Sequence, residues 1–126
     1  MLFLRKQEVL YIQQRLIEEF GGIAGLRDEG ALESALAAAE NRAYYEQAGV
    51  AKCAATYAYH LTQAHAFVDG NKRIAAAIAE IFLELNGAEL KATNQEVVDL
   101  FIEIASSELT RDEVEKFFND RVVAAQ

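Results

Sequence analysis

Hydrophobic residues in this chain recur mostly at helical spacing, with glycines and small polar residues between the stretches. Val9, Ile12, Leu16, Ile17 and Phe20 predict a first helix with those side chains inward. Gly21 and Gly22 follow where a helix would end. Residues 22–27 read as a loop, and Asp28 is placed to cap a second helix with Leu32, Ala35, Leu36 and Ala39 on its inner face. A third helix, residues 50–63, carries Val50, Ala54, Tyr57 and Leu61 on one stripe. After a break at residues 65–70, residues 71–86 form the most hydrophobic segment. There Ile74, Ala75, Ala77, Ile78, Ile81, Phe82 and Leu85 cover more than one stripe, the pattern of a central, nearly buried helix. Gly87 ends it, and residues 88–92 suit a short extended piece. Thr93 with Glu96, and Thr110 with Glu113, spell two capping boxes. The helices they open would bury Val97, Leu100, Phe101 and Ile104, then Val114, Phe117, Phe118 and Val122. The expected fold is all-α: a compact bundle of about six helices around a central hydrophobic helix, in a single domain over residues 1–126.

Composition sharpens this. With 52% apolar and 25% charged residues the chain has the balance of an ordinary folded protein, which excludes disorder and low complexity. The absence of proline agrees with helix throughout. Twelve basic against 20 acidic side chains give a net charge of -8. A surface of that sign repels phosphate on average, so neither direct nucleic-acid binding nor an anionic membrane is expected, although one local basic site is still allowed. A single cysteine, Cys53, excludes an internal disulfide and fits a reducing compartment. The N-terminal stretch becomes charged after four residues, unlike a typical signal peptide. A cytoplasmic location is expected.

Several chemistries are missing. His60 and His65 lack the zinc-protease spacing, and there is no cysteine pair. Ser106 and Ser107 lack a nucleophile-elbow setting. Cys53 lies among alanines as an inert thiol would, and Tyr44, Tyr45, Tyr57 and Tyr59 suit core or groove packing.

The informative stretch is His-Ala-Phe-Val-Asp-Gly-Asn-Lys-Arg, residues 65–73, at the break between two helices. Gly70 and Asn71 begin the central helix, so unpaired main-chain N–H groups point out of its positive end, an anion site in the making. Lys72 and Arg73 in the first turn oppose the helix dipole, at up to about 1 kcal/mol each, and a bound phosphate would compensate them. Arg73 offers a planar fork and Lys72 a point charge. Asp69 could hold Mg²⁺ alongside phosphates, and His65 could accept a hydroxyl proton near neutral pH. Phe67 would turn inward and pin the loop. The stretch then reads as a phosphoryl or nucleotidyl transfer site. The same residues also suit an ordinary solvated helix start, capped by Asp69 or Asn71.

Residues 65–73 resemble the H-x-F-x-D-G-N-K-R signature of the Doc (death on curing) toxins, in the Fic fold superfamily. Residues 20–36, from Phe20-Gly21-Gly22 through Arg27-Asp28 to Leu32-Glu33-Ser34-Ala35-Leu36, are similar to that family's N-terminal stretch. Tyr57 to His60 before the motif and Phe82 to Gly87 after it also fit, so the likeness covers nearly the whole chain. It implies the toxin of a type II toxin–antitoxin system, with ATP as substrate and Mg²⁺ as cofactor. Fic relatives generally transfer AMP from ATP to a protein hydroxyl through H-x-F-x-[DE]-G-N-G-R-x-x-R. This chain departs from that pattern at Lys72 and Ala76, as the Doc branch does. For that branch the resemblance implies transfer of the γ-phosphate of ATP, held in a reversed sense, to a threonine of elongation factor Tu, which blocks translation.

The resemblance further implies His65 as general base, Asp69 as orienting group and Mg²⁺ ligand, and Asn71, Lys72 and Arg73 as holders of phosphate oxygens, with Arg73 stabilising the developing charge. Phe67 becomes a structural anchor and Gly70 a provider of backbone room beside the phosphates. Arg27, Asp28 and Glu33 receive no chemistry, and a fold-locking ion pair suits Arg27 as well as an acceptor contact does. The antitoxin is expected to fold a segment in a hydrophobic groove, for which Tyr44, Tyr45, Phe117 and Phe118 could form a wall. AMP transfer, and a non-catalytic helical module docking an acidic partner, are the alternatives.

Overall fold

A computed structural model describes residues 1–126. Six helices follow one another: α1 (Lys6–Phe20), α2 (Glu29–Glu46), α3 (Val50–Ala64), α4 (Asn71–Leu85), α5 (Asn94–Ala105) and α6 (Arg111–Arg121). Their ends are written locally. The Gly21 N–H donates to the Ile17 carbonyl at 2.8 Å and closes α1, and the Asp28 carboxylate accepts from the Ala31 N–H at 3.0 Å and opens α2. At α5 the Thr93 hydroxyl accepts from the Glu96 N–H at 3.1 Å while Glu96 accepts from the Thr93 N–H at 3.0 Å. Thr110 and Glu113 repeat the exchange at α6.

The all-α expectation holds, with one amendment at its centre. α4 buries Ile74, Ala75, Ile78, Ala79, Phe82 and Leu83, but α3 buries eight side chains and packs against α2, α4, α5 and α6. Two helices therefore share the middle of the core. Much of the α3 surface is alanine, at positions 54, 55 and 58, which adds little to a hydrophobic pattern yet lets neighbouring backbones approach closely. Tyr57 is fully buried beside Phe82, and burial pushes its phenol up to about 12; the hydroxyl accepts the Leu4 N–H at 3.3 Å.

A buried ion pair ties α2 to α6, with Arg42 2.7 Å from Glu115 and 3.0 Å from Glu46. His60 is half-buried on α3; burial, then the Arg111 and Arg42 charges, push its imidazole below the ordinary value.

The extended piece after Gly87 is a strand, β1 (Ala88–Leu90). It pairs antiparallel with β2 (Val122–Ala124), so that Ala88 faces Ala124 and Leu90 faces Val122. Val122 thus belongs to this ribbon rather than to the inner face of α6, because its N–H is the last to close onto that helix, at Phe118, before the backbone extends. No helix is long and apolar enough to cross a membrane.

Candidate active site

Two loops meet at the start of α4. The first, residues 21–28, leaves α1; the second, residues 65–70, joins α3 to α4. α3 stops at His65, whose backbone is left-handed (φ 48°). The Ala66 carbonyl then accepts from the N–H groups of Arg27 (2.7 Å) and Asp28 (3.0 Å), and the Val68 N–H donates to the Gly25 carbonyl at 3.1 Å. Leu26 and Phe67 form an isolated antiparallel bridge between these contacts. From the other side, the Asn71 amide both accepts from the Phe67 N–H and donates to the Phe67 carbonyl, each at 3.0 Å. The Phe67 ring is buried in the core. Held on both sides, the loop fixes the His65 backbone relative to the start of α4.

His65, Asp69, Gly70, Asn71, Lys72 and Arg73 line one open cleft of about 390 Å³, together with Thr62, Val68 and Ala105. No side chain caps α4. Lys72 and Arg73 are exposed, and neither takes part in an ion pair. Two unneutralised cations therefore stand at the positive end of a helix dipole, an arrangement that favours a bound anion. The Arg73 guanidinium lies 4.6 Å from the centre of the Phe20 ring, a cation–π contact that steadies a side chain without a carboxylate partner. Asp69 accepts from the Gly70 N–H at 2.8 Å and from the Ile23 N–H at 3.2 Å, one to each oxygen. Each oxygen keeps a lone-pair direction free. The His65 ring is exposed and hydrogen-bonded to nothing, while its carbonyl accepts from Arg27 Nη2 at 2.8 Å.

Six of the seven expected site residues line this cleft and Phe67 anchors it from the core, while other residues singled out in the sequence lie elsewhere. Gly70 has a φ of +75°, a torsion that favours glycine, and among protein atoms an added Cβ would meet only Ile17 Cδ1, at 3.9 Å. The Asn71 amide is bonded to the Phe67 backbone through its oxygen and one of its two Nδ2 hydrogens, and its main-chain N–H lies in the first turn of α4. Phe20 is not inward but 57% exposed, as the platform for Arg73. Arg27 locks the fold through the His65 carbonyl instead of an ion pair, and Glu33 pairs with Lys6 at 3.1 Å. The aromatic wall is dispersed, since Phe118 is core, Phe117 stacks under Arg121, and Tyr44 and Tyr45 are exposed on α2. Gly22 was visible only as part of a G-G stretch. Its φ is +116°, and an added Cβ would sit 2.7 Å from Asp69 Oδ2, so only glycine lets that carboxylate reach the Ile23 N–H. Thr62 gave no signal, because a lone threonine inside a helix has no motif.

No group of three or more His, Cys, Asp or Glu side chains is placed to hold a metal. Asp69 is the one carboxylate in the cleft, which suits Mg²⁺ arriving on a nucleotide, since that ion usually takes one or two carboxylates together with substrate phosphates.

The profile of the Fic/DOC family matches residues 3–83, which run from before α1 nearly to the end of α4 and contain both loops of the cleft. The chain belongs to this family. It is 30% identical over 105 residues to the protein kinase Doc of Escherichia phage P1, covering 82% of either chain. It is 35% identical over 111 residues to the toxin Doc of Mycolicibacterium smegmatis, covering 85% of either chain. Within the family's motif, Lys72 is an exposed cation on the cleft. Ala76, one turn further along α4, lines an adjoining apolar groove of about 290 Å³ with Val97, Val98, Phe101 and Ile102.

Proposed function

We propose that the chain is the toxin of a type II toxin–antitoxin pair and works as an ATP-dependent protein kinase. It transfers the γ-phosphoryl group to a threonine of elongation factor Tu in the cytoplasm and so stops translation. One observation carries this reading: the uncapped start of α4, with unpaired Lys72 and Arg73, opens onto the same cleft as the free His65 imidazole and Asp69. α3 also starts without a side-chain cap, so what sets the start of α4 apart is the convergence of two cations, an imidazole and a carboxylate on one cleft.

In this reading the phosphates lie against the first-turn N–H groups of α4, with Gly70 supplying the backbone turn, and Lys72 and Arg73 hold the oxygens that gain charge. Asn71 contributes its main-chain N–H and braces the loop. The acceptor hydroxyl oxygen bonds to the γ-phosphorus as its proton passes to the His65 imidazole. The bond from that phosphorus to the bridging oxygen breaks, and ADP leaves with the electron pair. Mg²⁺, when bound with the nucleotide beside Asp69, supplies positive charge against the phosphate oxygens. Ala76 supports phosphoryl over AMP transfer, because the second turn of α4 offers a methyl group where adenylyl-transferring relatives carry a guanidinium. The cognate antitoxin silences the site by folding a segment on the toxin, and the apolar groove beside Lys72 and Arg73 suits it better than the dispersed aromatic residues.

The test mixes the chain with Mg²⁺, elongation factor Tu and ATP labelled at the γ- or the α-phosphate, with His65→Ala as control. Label from the γ position alone, lost in the variant, is expected. Label from the α position would make the activity AMP transfer, and label from neither would leave a binding module.

A further inference from the structure

We propose that Thr62 is a positioning residue for His65, accepting the imidazole Nδ1–H on its hydroxyl so that Nε2 faces the cleft as the free base. The inference rests on the assignment of His65 as the base.

Thr62 lies on the last turn of α3, is 1% exposed, and its hydroxyl has no hydrogen-bond partner. A buried helical threonine ordinarily bonds its own helix. Thr56, on the same helix and fully buried, does so through the Lys52 carbonyl at 2.7 Å. Thr62 makes no such bond, yet it lines the catalytic cleft three residues before His65. The His65 ring is also without a hydrogen-bond partner, and unlike Lys72 and Arg73 it lies one helical turn from Thr62. Its backbone is fixed by the left-handed φ of 48° and by Arg27 on its carbonyl, so ring rotation and tautomer are what remain to be set. An imidazole acts as a base through the nitrogen opposite the one that donates a hydrogen bond, and such contacts often tighten only when substrate fills the site. Two orphaned groups at one wall of one cleft complete each other.

Thr62→Val keeps the shape and removes the hydroxyl, and Thr62→Ser keeps the hydroxyl. Two readouts are taken on the whole chain with Mg²⁺ and ATP: the His65 tautomer from ¹⁵N chemical shifts of the ring, and kcat and KM for transfer to elongation factor Tu. The wild type and Thr62→Ser should hold the Nδ1–H tautomer, and Thr62→Val should turn to Nε2–H. The valine variant should lose about tenfold or more in kcat, as misplacing a general base does, with KM for ATP within about twofold. Its melting temperature without nucleotide should not fall, because the hydroxyl is unpaired until substrate fills the site. The same tautomer in wild type and Thr62→Val, an unchanged kcat, or a destabilised valine variant would each overturn the proposal. A wild type that transfers no phosphoryl group but shows the tautomer change would sink the kinase reading and leave this contact standing.

Discussion

Replacing Asn71 by alanine tests whether its side chain serves the loop or the phosphates. In the structure the amide makes two hydrogen bonds to the Phe67 main chain, both 3.0 Å and both partly buried. A net contribution of about 1 kcal/mol for each gives about 2 kcal/mol lost without any ligand present. For a chain of 126 residues, an unfolding entropy of about 2.1 cal/mol/K per residue turns that loss into a melting temperature about 8 °C lower. The assay is denaturant and thermal unfolding of the nucleotide-free chain, with hydrogen exchange at the Phe67 amide as the local reading. Asn71→Asp keeps the acceptor for that amide but turns an oxygen towards the Phe67 carbonyl, so it should recover little of the loss. An alanine variant as stable as wild type, with Phe67 still protected, would refute the bracing role and return the side chain to phosphate binding.

Gly22→Ala should abolish phosphoryl transfer while the helical content stays intact, because the new methyl would fall 2.7 Å from Asp69 Oδ2; Gly70→Ala, with free space around it, should cost only about 1–2 kcal/mol from its positive φ. Unfolding and transfer assays on both would reverse the argument if Gly70→Ala proved the more damaging. Glu115→Ala leaves Arg42 buried with only Glu46 beside it and should destabilise by about 3 kcal/mol, whereas the double replacement Arg42→Met, Glu115→Leu should regain most of that. A double variant no better than the single, by urea denaturation, would count against the charge argument. For His60, burial lowers the folded pKa, so the unfolded chain binds the proton first. Its contribution is complete above the ordinary value of 6.5 and is lost as pH falls through that value towards the folded one. Wild type should therefore lose more urea resistance than His60→Gln between pH 7.5 and 5.5, and parallel curves would remove His60 as the cause.

Much of this protein was legible because its signals are local. A capping box needs only four neighbouring residues, so Thr93 with Glu96 and Thr110 with Glu113 placed two helix starts correctly. The glycines after α1 marked its end for the same reason, and a contiguous motif drew six of the seven expected site residues to one cleft, with Phe67 anchoring it from the core.

What escaped depends on residues far apart in the chain. The alanines of α3 look bland alone and become the centre only when four helices close on them. The two strands lie more than thirty residues apart, and neither announces the other. Phe20 followed the helical period inward, yet it faces out and lies against Arg73 of another helix. Asn71 and Gly22 took their duties from what folding brought against them, the Phe67 backbone and the Asp69 carboxylate. Thr62 is the sharpest case, since a missing hydrogen bond cannot be read until every neighbour is in place. Sequence determined which groups are present and where helices begin, because propensity and capping act within a turn. Tertiary structure decided which polar atoms are satisfied and which stay free for chemistry, because that is a property of the packed surroundings.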